Sequence, residues 1–344
     1  MNTVRNLIEK IERLAPLAPP EAEALMEELL AARMETPDIV RFLLALNERP
    51  IQAGELAAFA RIIRRHAAQV FAPGLAPPKN MVDTCGTGGD DAGTFNISTP
   101  AALLAAAAGA RVAKHGNRSV SSKCGSADVL EALGVRIDIP LERAGQAICE
   151  LGIGFLFAPA AHAAARHAVP ARKQIGKRTV FNLLGPLTNP AHAENQVLGV
   201  YSGELIDLLA SALVELGVRR AFVVHGAGGL DEISIAGDTL VAEVRDGSCR
   251  RLILTPTDFG LPAGPLDSLR GGSPAENAAL IRRLFQGEPG PRRDIVLMNA
   301  AAALVVTGIA ADFHEGKVLA ERAISSGAAG EKLAQLQAFT NAHA

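Results

Sequence analysis

The first 72 residues have the hydrophobic pattern of a helical bundle. Apolar positions recur at three- and four-residue spacing in the segments PPEAEALMEELLAARM, TPDIVRFLLALNERP and GELAAFARIIRRHAAQVF, which is the period of amphipathic helices. The segment APGLAPPKN that follows has no such period and is rich in proline and glycine, so it predicts a linker. The pattern therefore predicts a helical unit that ends near residue 72.

After the linker, short apolar runs alternate with helical patterns. The strand candidates are MVDTC, ARVAKH, VRIDI, GFLFAP and RRAFVVHG, and helical segments such as STPAALLAAAAG and SADVLEALG lie between them. This alternation is typical of a mostly parallel sheet that is flanked by helices. In TLVAEVRDGSCRRLILTP, two alternating stretches flank Asp246-Gly247, which predicts a hairpin. Ser273 and Glu276 form a capping-box pattern before another helix.

Composition limits the class of protein. At 344 residues the chain exceeds what one hydrophobic core usually holds, so we expect two domains. Its 34 Lys and Arg against 36 Asp and Glu give a net charge of −2, which argues against a nucleic-acid partner. No apolar run reaches the roughly 20 residues that span a bilayer, and no signal-peptide pattern is present, so no membrane association is expected. The four widely spaced cysteines favour a reducing, cytoplasmic location over a disulfide framework or a zinc site.

A glycine-rich loop follows the first strand candidate. Residues 83–100 read DTCGTGGDDAGTFNISTP, with a helix start at Asn96, Ser98 and Thr99. Glycines allow tight turns, and free N–H groups and hydroxyls at a helix start bind anions. The pattern is neither a Walker motif nor GxGxxG. It predicts a phosphate site without indicating ATP or NAD, and a purely structural turn is the alternative.

A second polar loop, KHGNRSVSSKCGSAD at residues 114–128, again follows a strand candidate and precedes a helix. Lys114, Arg118, Lys123 and four serines suit several phosphate oxygens. Because both loops follow successive strands, we expect them at the same edge of the sheet, where open α/β folds bind ligands. A solvated polar loop is the alternative, and His115 alone is more often structural than a base.

Two further clusters of charge suggest a metal and a second substrate. Asp231 and Glu232 follow a strand and a glycine turn; such acids are often only surface charge, but beside phosphate loops they favour Mg²⁺. Residues 166–178 carry five basic side chains and no acid. They form either a solvated helix face or a site where Arg172 clamps a carboxylate. Together the motifs predict a multiply phosphorylated substrate, Mg²⁺ and a second anionic substrate.

These motifs, in this order, resemble the anthranilate phosphoribosyltransferase family over nearly the whole chain. The matching segments are GTGGD, TFNIST, KHGNRSVSSKCGSAD, FLFAP, RTVFNLLGPLTNP, GLDEIS and MNAAAAL. The resemblance implies an enzyme of tryptophan biosynthesis that uses Mg²⁺. It would transfer the phosphoribosyl group of 5-phosphoribosyl 1-pyrophosphate to the amine of anthranilate and release pyrophosphate.

The resemblance also implies a fold and an assembly. A small all-helical domain, residues 1–72 with 166–190, would lie beside a larger α/β domain, residues 73–165 with 191–344, which binds the phosphoribosyl pyrophosphate. A central, mostly parallel sheet flanked by helices is expected in the larger domain. The family is usually homodimeric, and we expect the N-terminal helices to form the interface.

Individual residues acquire expected roles through the same resemblance. Gly86, Asn117 and Arg172 are expected to contact anthranilate, Arg172 through its carboxylate. Ser98, Asp231 and Glu232 are expected to hold Mg²⁺, and His115 is a candidate proton acceptor. The residues expected to bind phosphoribosyl pyrophosphate are Gly86, Gly89, Asp90, Thr94, Asn96, Ile97, Ser98, Thr99, Lys114, Ser122 and Ser126.

The chain departs from the family pattern near the expected anthranilate pocket. Ala161, Ala164 and Ala165 stand where larger or aromatic residues are common, and Ala171 stands where valine is usual. Gly228 stands where an aspartate is frequent. We expect these differences to affect the shape of the pocket and not the reaction.

Three other functions remain as alternatives. A pyrimidine nucleoside phosphorylase shares the fold but needs no obligatory Mg²⁺, so the acid pair and the second loop disfavour it. A non-enzymatic nucleic-acid-binding relative would have a strongly basic surface and eroded phosphate loops, which the near-neutral charge and intact motifs disfavour. An α/β protein with an unrelated ligand is the third.

Overall fold

The structure, a computed structural model, describes residues 2–119 and 123–342. Its centre is a sheet of seven strands in the order β3-β2-β1-β4-β5-β6-β7. The first five strands in the chain run parallel, while β6 and β7 pair antiparallel at one edge. The strands are β1 (Met81–Asp83), β2 (Arg111–Gly116), β3 (Ile153–Phe157), β4 (Asn195–Gly199), β5 (Arg220–Gly226), β6 (Thr239–Arg245) and β7 (Ser248–Leu254). The predicted α/β class with a mostly parallel sheet is confirmed.

Four helices precede the sheet, as the hydrophobic pattern predicts: α1 (Asn2–Glu12), α2 (Pro19–Leu30), α3 (Thr36–Asn47) and α4 (Ala53–Arg65). The helices between and after the strands are α5 (Ser98–Ala107), α6 (Ser126–Ala132), α7 (Leu141–Leu151), α8 (Ala158–Ala161), α9 (Val169–Ile175), α10 (Phe181–Leu184), α11 (Ile206–Glu215), α12 (Pro274–Phe285), α13 (Pro291–Thr307), α14 (Phe313–Ser325) and α15 (Ala328–Asn341). In the part of the chain that the structure describes, no helix combines the length and apolar character needed to cross a membrane.

The two faces of the sheet belong to different apolar clusters. Val82 and Val197 point into a cluster that includes residues of α5, α12 and α13, whereas Leu198 points into the opposite one. That second cluster also contains the apolar sides of α1 to α4 and buried residues of α9 to α11. The segment around α9 thus packs with the N-terminal helices although it lies about 100 residues away in sequence. The exact domain boundaries proposed above remain a prediction.

One predicted strand is wrong. The alternating segment 135–139 is not part of the sheet. Val135 and Ile137 are buried, but the N–H of Arg136 donates to the hydroxyl of Thr340 in α15, 3.1 Å away. The segment packs against helices with one side buried. An extended segment packed in this way alternates between buried and exposed residues, as a strand does.

One central strand carries little sequence signal. β4 is fully buried but begins with the polar residues Asn195 and Gln196, so its sequence lacks the apolar run that usually indicates a buried strand. The Asn195 amide donates to the carbonyl of Met81 (3.1 Å), and the Gln196 amide donates to the carbonyl of Pro186 (2.6 Å). Buried polar groups need such partners, and these bonds connect β4 with β1 and with the chain after α10.

Two local predictions are confirmed. β6 and β7 form the hairpin, and Asp246 and Gly247 have φ values of +48° and +79° at its turn, as a two-residue turn of this type requires. Ser273 caps α12, with its hydroxyl accepting from the Glu276 N–H at 3.4 Å while the Glu276 carboxylate returns to the Ser273 N–H at 2.7 Å.

Candidate active site

The order of the strands places a crevice between β1 and β4. β2 and β3 lie on one side of β1, and β4 and β5 lie on the other. The connections that leave β1 and β4 therefore diverge, and ligands bind at this switch point in open α/β sheets. Three loops converge there, namely the glycine-rich loop after β1, the polar loop after β2 and the loop after β5.

The glycine-rich loop is held against the loop after β5. The Thr87 N–H donates to the carbonyl of Gly199, and the Gly88 N–H donates to Oδ2 of Asp231, both at 2.8 Å. Gly199 has no room for a side chain, because an added Cβ would lie 1.6 Å from the carbonyl oxygen of Asp231. A Cβ on Gly86 would lie 2.9 Å from Asp231 Oδ2. These two glycines allow the loop and the acidic segment to approach each other.

Three carboxylates gather at this point. Burial raises the pKa of Asp231, and the charge of Asp90 raises it further. Burial and the charge of Asp231 raise the pKa of Glu232 well above its usual range. All three acidic residues are partly exposed. Crowded, poorly hydrated carboxylates are stabilised by a cation, and their hard oxygens are the ligands that Mg²⁺ prefers. The predicted acids therefore fit a divalent metal.

Lys114 lies beneath the metal candidates. Its side chain is buried, and Nζ donates to the hydroxyl of Thr84 (3.2 Å) and to Oγ of Ser98 (3.3 Å). Its charge also favours the ionised forms of Asp83 and Glu232. Lys114 thus joins the ends of β1 and β2 to the start of α5 and offsets part of the negative charge.

Asn96 connects the two predicted phosphate loops. Its amide nitrogen donates to the carbonyl of Cys124 in the second loop (2.9 Å), and its amide oxygen accepts from Asn277 of α12 (3.0 Å). Asn277, which the sequence gives no reason to single out, therefore holds the junction. Only the folded chain shows this, because Asn277 lies 181 residues from Asn96.

Hydrogen bonds connect the two ends of the second loop, before residue 120 and after residue 122. Asp128 accepts from the N–H groups of Gly125 (2.8 Å) and Ser119 (3.1 Å). The Ser126 hydroxyl donates to the carbonyl of Asn117 (3.2 Å), so both residues lie at the base of the loop. Ser122, another predicted ligand, lies outside the described residues.

The other residues predicted to bind phosphoribosyl pyrophosphate differ in the groups that they could present to it. Thr94 forms an isolated bridge with Arg270. Ile97 and Thr99 are almost completely buried at the start of α5, at 2% and 1% exposure. They would therefore contact a bound phosphate mainly through their backbone N–H groups. The Asp90 carboxylate accepts from the Ala92 N–H at 3.3 Å.

The Arg172 side chain lies in α9 beside Phe181. It is half-buried in α9, and this burial lowers its pKa. Its guanidinium carbon lies 5.3 Å from the centre of the Phe181 ring. Within residues 2–119 and 123–342, its side chain has no hydrogen bond or ion pair, so the structure does not join it directly to Gly86 or Asn117. A half-buried guanidinium of this kind is suited to a carboxylate ligand.

His115 lies inside the protein. Its ring packs edge-on against that of His162, with centroids 5.2 Å apart. Within the described chain the ring nitrogens of both are buried without a hydrogen bond of ordinary geometry, although the carbonyl of Gly185 favours the charged form of His115. Burial and the nearby His162 lower the pKa of His115 to about 3. Such a weak base is poorly suited to accept a proton, and this role stays a prediction.

These histidines predict acid sensitivity. Burial lowers the pKa of His162 to about 4, with a further contribution from Arg64, against an ordinary value of 6.5. Above pH 6.5 the rings are neutral in both states. Below it the unfolded chain takes up protons that the folded chain cannot, so stability falls by about 1.4 kcal/mol per pH unit for each ring. Urea unfolding at pH 7.5 and pH 5.0 measures how much the free energy of unfolding falls between the two pH values. This fall should be smaller in His162→Gln than in the wild type by about 2 kcal/mol. Equal losses in both proteins would contradict this account.

The unusual alanines are packing positions. Ala161 and Ala171 are fully buried, while Ala164 and Ala165 pack partly buried against the cluster of the N-terminal helices. Gly228 has a φ of +84°, and a Cβ there would lie 2.2 Å from Leu266. An aspartate would therefore require both an unfavourable backbone and a shift of Leu266.

Comparisons with known proteins indicate the family of this chain. The model of a glycosyl transferase family, a/b domain, matches residues 78–330. The anthranilate phosphoribosyltransferase of Pelotomaculum thermopropionicum is 49% identical over 98% of this chain and 96% of its own length. The crystal structure of the Thermus thermophilus enzyme superposes with a TM-score of 0.91 at 45% identity, covering 97% of this chain and 99% of the other.

A more distant structure carries ligands. The anthranilate phosphoribosyltransferase from Saccharomyces cerevisiae has been solved in complex with PRPP and Mg, and also with 4-fluoroanthranilate. Both structures are 28% identical to this chain, with a TM-score of 0.87 and coverage of 99% of this chain and 98% of the other. By the match of the family model and by full-length identity, this chain belongs to the anthranilate phosphoribosyltransferase family.

Proposed function

We propose that this protein transfers the phosphoribosyl group of 5-phosphoribosyl 1-pyrophosphate to the amine of anthranilate. The products are N-(5-phosphoribosyl)anthranilate and pyrophosphate, in L-tryptophan biosynthesis. The observation that carries the proposal is the contact between the Gly88 N–H and the Asp231 carboxylate, which brings the glycine-rich loop and the acidic segment to one crevice. The identity of 49% with a named relative supports the choice of substrates.

The donor is proposed to bind across the two loops. Its pyrophosphate would meet backbone N–H groups of the glycine-rich loop and of the α5 start, where the helix dipole favours negative charge. Lys114 and Ser126 would add a charge and a hydroxyl. The further residues proposed to contribute are Gly86, Gly89, Asp90, Thr94, Asn96, Ile97, Ser98, Thr99 and Ser122.

Ser98, Asp231 and Glu232 are proposed to hold Mg²⁺. The crowding of buried acids supports this choice, because a divalent cation would relieve their repulsion. When bound, Mg²⁺ supplies positive charge that stabilises the departing pyrophosphate. The yeast relative in complex with PRPP and Mg is consistent with this cofactor.

The acceptor is proposed to bind between Arg172, Asn117 and the Gly86 backbone. The amine of anthranilate is neutral at pH 7 and attacks C1 of the ribose from the face opposite pyrophosphate. The C1–N bond forms as the C1–O bond breaks, through an oxocarbenium-like transition state, and the nitrogen then loses a proton to the released pyrophosphate or to water. The chain contributes chiefly by orienting the two substrates and by excluding water.

The clamp can be tested at Arg172. Arg172→Ala should raise the KM for anthranilate by about tenfold or more while it changes the KM for the donor by less than about twofold, because one carboxylate contact is worth at least 1.4 kcal/mol. Steady-state kinetics with each substrate varied would measure both values. Lys173→Ala, which removes an exposed charge next to it, is the matched control. A comparable rise in both KM values would reject the clamp.

The reaction itself can be followed by the loss of anthranilate fluorescence. Purified protein should consume anthranilate only when the donor and Mg²⁺ are both present, and a chelator should stop the reaction. No turnover by a protein that is folded by circular dichroism would reject the proposed function.

A cytoplasmic homodimer is also proposed. The N-terminal helices are the proposed interface, and Leu14, which follows α1 by two residues, is an exposed apolar side chain on that part of the protein. Sedimentation equilibrium measures the assembly directly, and a monomer at micromolar concentration would reject it. No nucleic-acid partner is expected at a net charge of −2.

A further inference from the structure

Arg178 makes several contacts that the proposed function does not explain. It lies between α9 and α10, and its Nη2 donates to the carbonyl oxygen of Gly89 in the glycine-rich loop. The same nitrogen lies 3.4 Å from Oδ2 of Asp91. Its guanidinium carbon lies 4.1 Å from the centre of the Tyr201 ring. One side chain therefore contacts the loop after β1 and the residue that follows β4 by two positions.

These contacts connect the glycine-rich loop to the helical part of the protein. The amide of Asn47 in α3 donates to the carbonyl of Arg178 at 2.9 Å. On the other side, the Tyr201 N–H donates to the Thr87 hydroxyl at 3.1 Å. Arg178 thus reaches the loop at Gly89 directly and at Thr87 through Tyr201, while α3 holds its backbone.

The loop needs such support. Gly88 and Gly89 have φ values of +65° and +74°, and glycine segments lose more conformational entropy than others when they are fixed. In a planar trans peptide the carbonyl and the next N–H point in opposite directions. By holding the Gly89 carbonyl, Arg178 also fixes the direction of the Asp90 N–H. N–H groups bind phosphate well only when they are held in position beforehand.

The hydrogen bond to Gly89 and the contact with the Tyr201 ring matter more than the ion pair with Asp91. The side chains of Arg178 and Asp91 are 46% and 77% exposed, and pairs this exposed contribute little. The carbonyl hydrogen bond and the stacking on Tyr201 use the planar shape of the guanidinium, which lysine lacks. A lysine would therefore keep the charge but lose the geometry.

We infer that Arg178 is a positioning residue that holds the glycine-rich loop in the shape that binds the pyrophosphate of the donor. This inference rests on the proposed function, because the donor is the ligand whose binding it affects. Arg178 itself need not touch the donor. Its effect should appear in donor binding and leave anthranilate binding almost unchanged.

The composition of the chain provides a direct readout. The protein has one tyrosine and no tryptophan, so its intrinsic emission reports on Tyr201 alone. In the ligand-free protein, Arg178→Ala should increase the quenching of this emission by acrylamide, because the ring loses its cover. Titration with the donor and Mg²⁺, without anthranilate, should change the emission of the wild type. The midpoint should rise by about tenfold in Arg178→Ala.

Kinetics complete the test. Arg178→Ala should raise the donor KM by about tenfold and change the anthranilate KM by less than about twofold. Arg178→Lys should behave like Arg178→Ala, because lysine keeps the charge but lacks the planar guanidinium. Tyr201→Phe, which keeps the ring, should behave like the wild type. Lys177→Gln removes an exposed neighbouring charge and should leave both KM values unchanged. Circular dichroism checks that each variant folds.

The failures can be told apart. A wild type that neither binds the donor nor consumes anthranilate overturns the proposed function. A wild type that turns over, with an unchanged donor KM in Arg178→Ala, overturns only the role of Arg178. An equal rise in both KM values, or the same effect in Lys177→Gln, would also overturn it, because a positioning role on this loop is specific to the donor.

Discussion

Replacement of Glu232 by glutamine should stabilise the ligand-free protein and strongly reduce its Mg²⁺-dependent activity. In the ligand-free protein Glu232 shares a poorly hydrated site with Asp231 and Asp90, and burial and like charge raise its pKa. Gln keeps the shape without the charge, so we expect a melting temperature higher by about 2 °C or more. We expect kcat/KM to fall by about 100-fold, since a metal contributes several kcal/mol to transition-state stabilisation.

Calorimetry and metal titration would measure the two effects in one protein. Adding Mg²⁺ and the donor should raise the melting temperature of the wild type much more than that of Glu232→Gln. Asp238→Asn, which neutralises an exposed acid just before β6, should change neither property. An unchanged metal titration in Glu232→Gln, or a loss of ligand-free stability, would contradict the assignment.

Substitution of Gly199 by alanine should have the second large effect. The added Cβ would lie 1.6 Å from the carbonyl oxygen and 2.3 Å from the carbonyl carbon of Asp231, which are backbone atoms that no rotamer change can move. The segment that carries Asp231 and Glu232 must therefore shift away from the glycine-rich loop. We expect a loss of about 3 kcal/mol of stability and a fall in kcat/KM of about 100-fold or more.

Gly330→Ala is the matched control. Gly330 lies within α15, and an added Cβ there meets no described atom within 4 Å, so helix propensity should leave stability equal or raise it by up to about 1 kcal/mol. Chemical denaturation and steady-state kinetics of both variants would decide the matter. Wild-type activity in Gly199→Ala would mean that the contact between β4 and the acidic loop is not needed for the site.

Local signals in the sequence were sufficient for the elements around the site. The helices before residue 72, the strand-loop-helix units after β1 and β2, the hairpin at Asp246-Gly247 and the cap at Ser273 all follow from periodicity, glycine and capping chemistry. The same signals place the two polar loops at the carboxyl ends of parallel strands, which the fold confirms. The assignment of anthranilate, however, came from family resemblance, because no local pattern specifies an aromatic acceptor.

The remaining features depend on contacts between distant segments. β4 can be buried without an apolar pattern because Met81 and Pro186 provide hydrogen-bond partners for its side-chain amides. Segment 135–139, in contrast, has an alternating pattern but is not a strand. The bonds from Asn277 to Asn96 and from Arg178 to Gly89 join residues 181 and 89 positions apart.

The sequence by itself determined the fold class, the positions of the two polar loops and of the acid pair, and the family. Only the tertiary structure decided how the loops are held against one another, how strongly the acids are crowded and which side chains support the glycines. Hydrophobic periodicity and turn chemistry act over a few residues, whereas partners for buried polar groups and close backbone approaches are chosen when the whole chain packs.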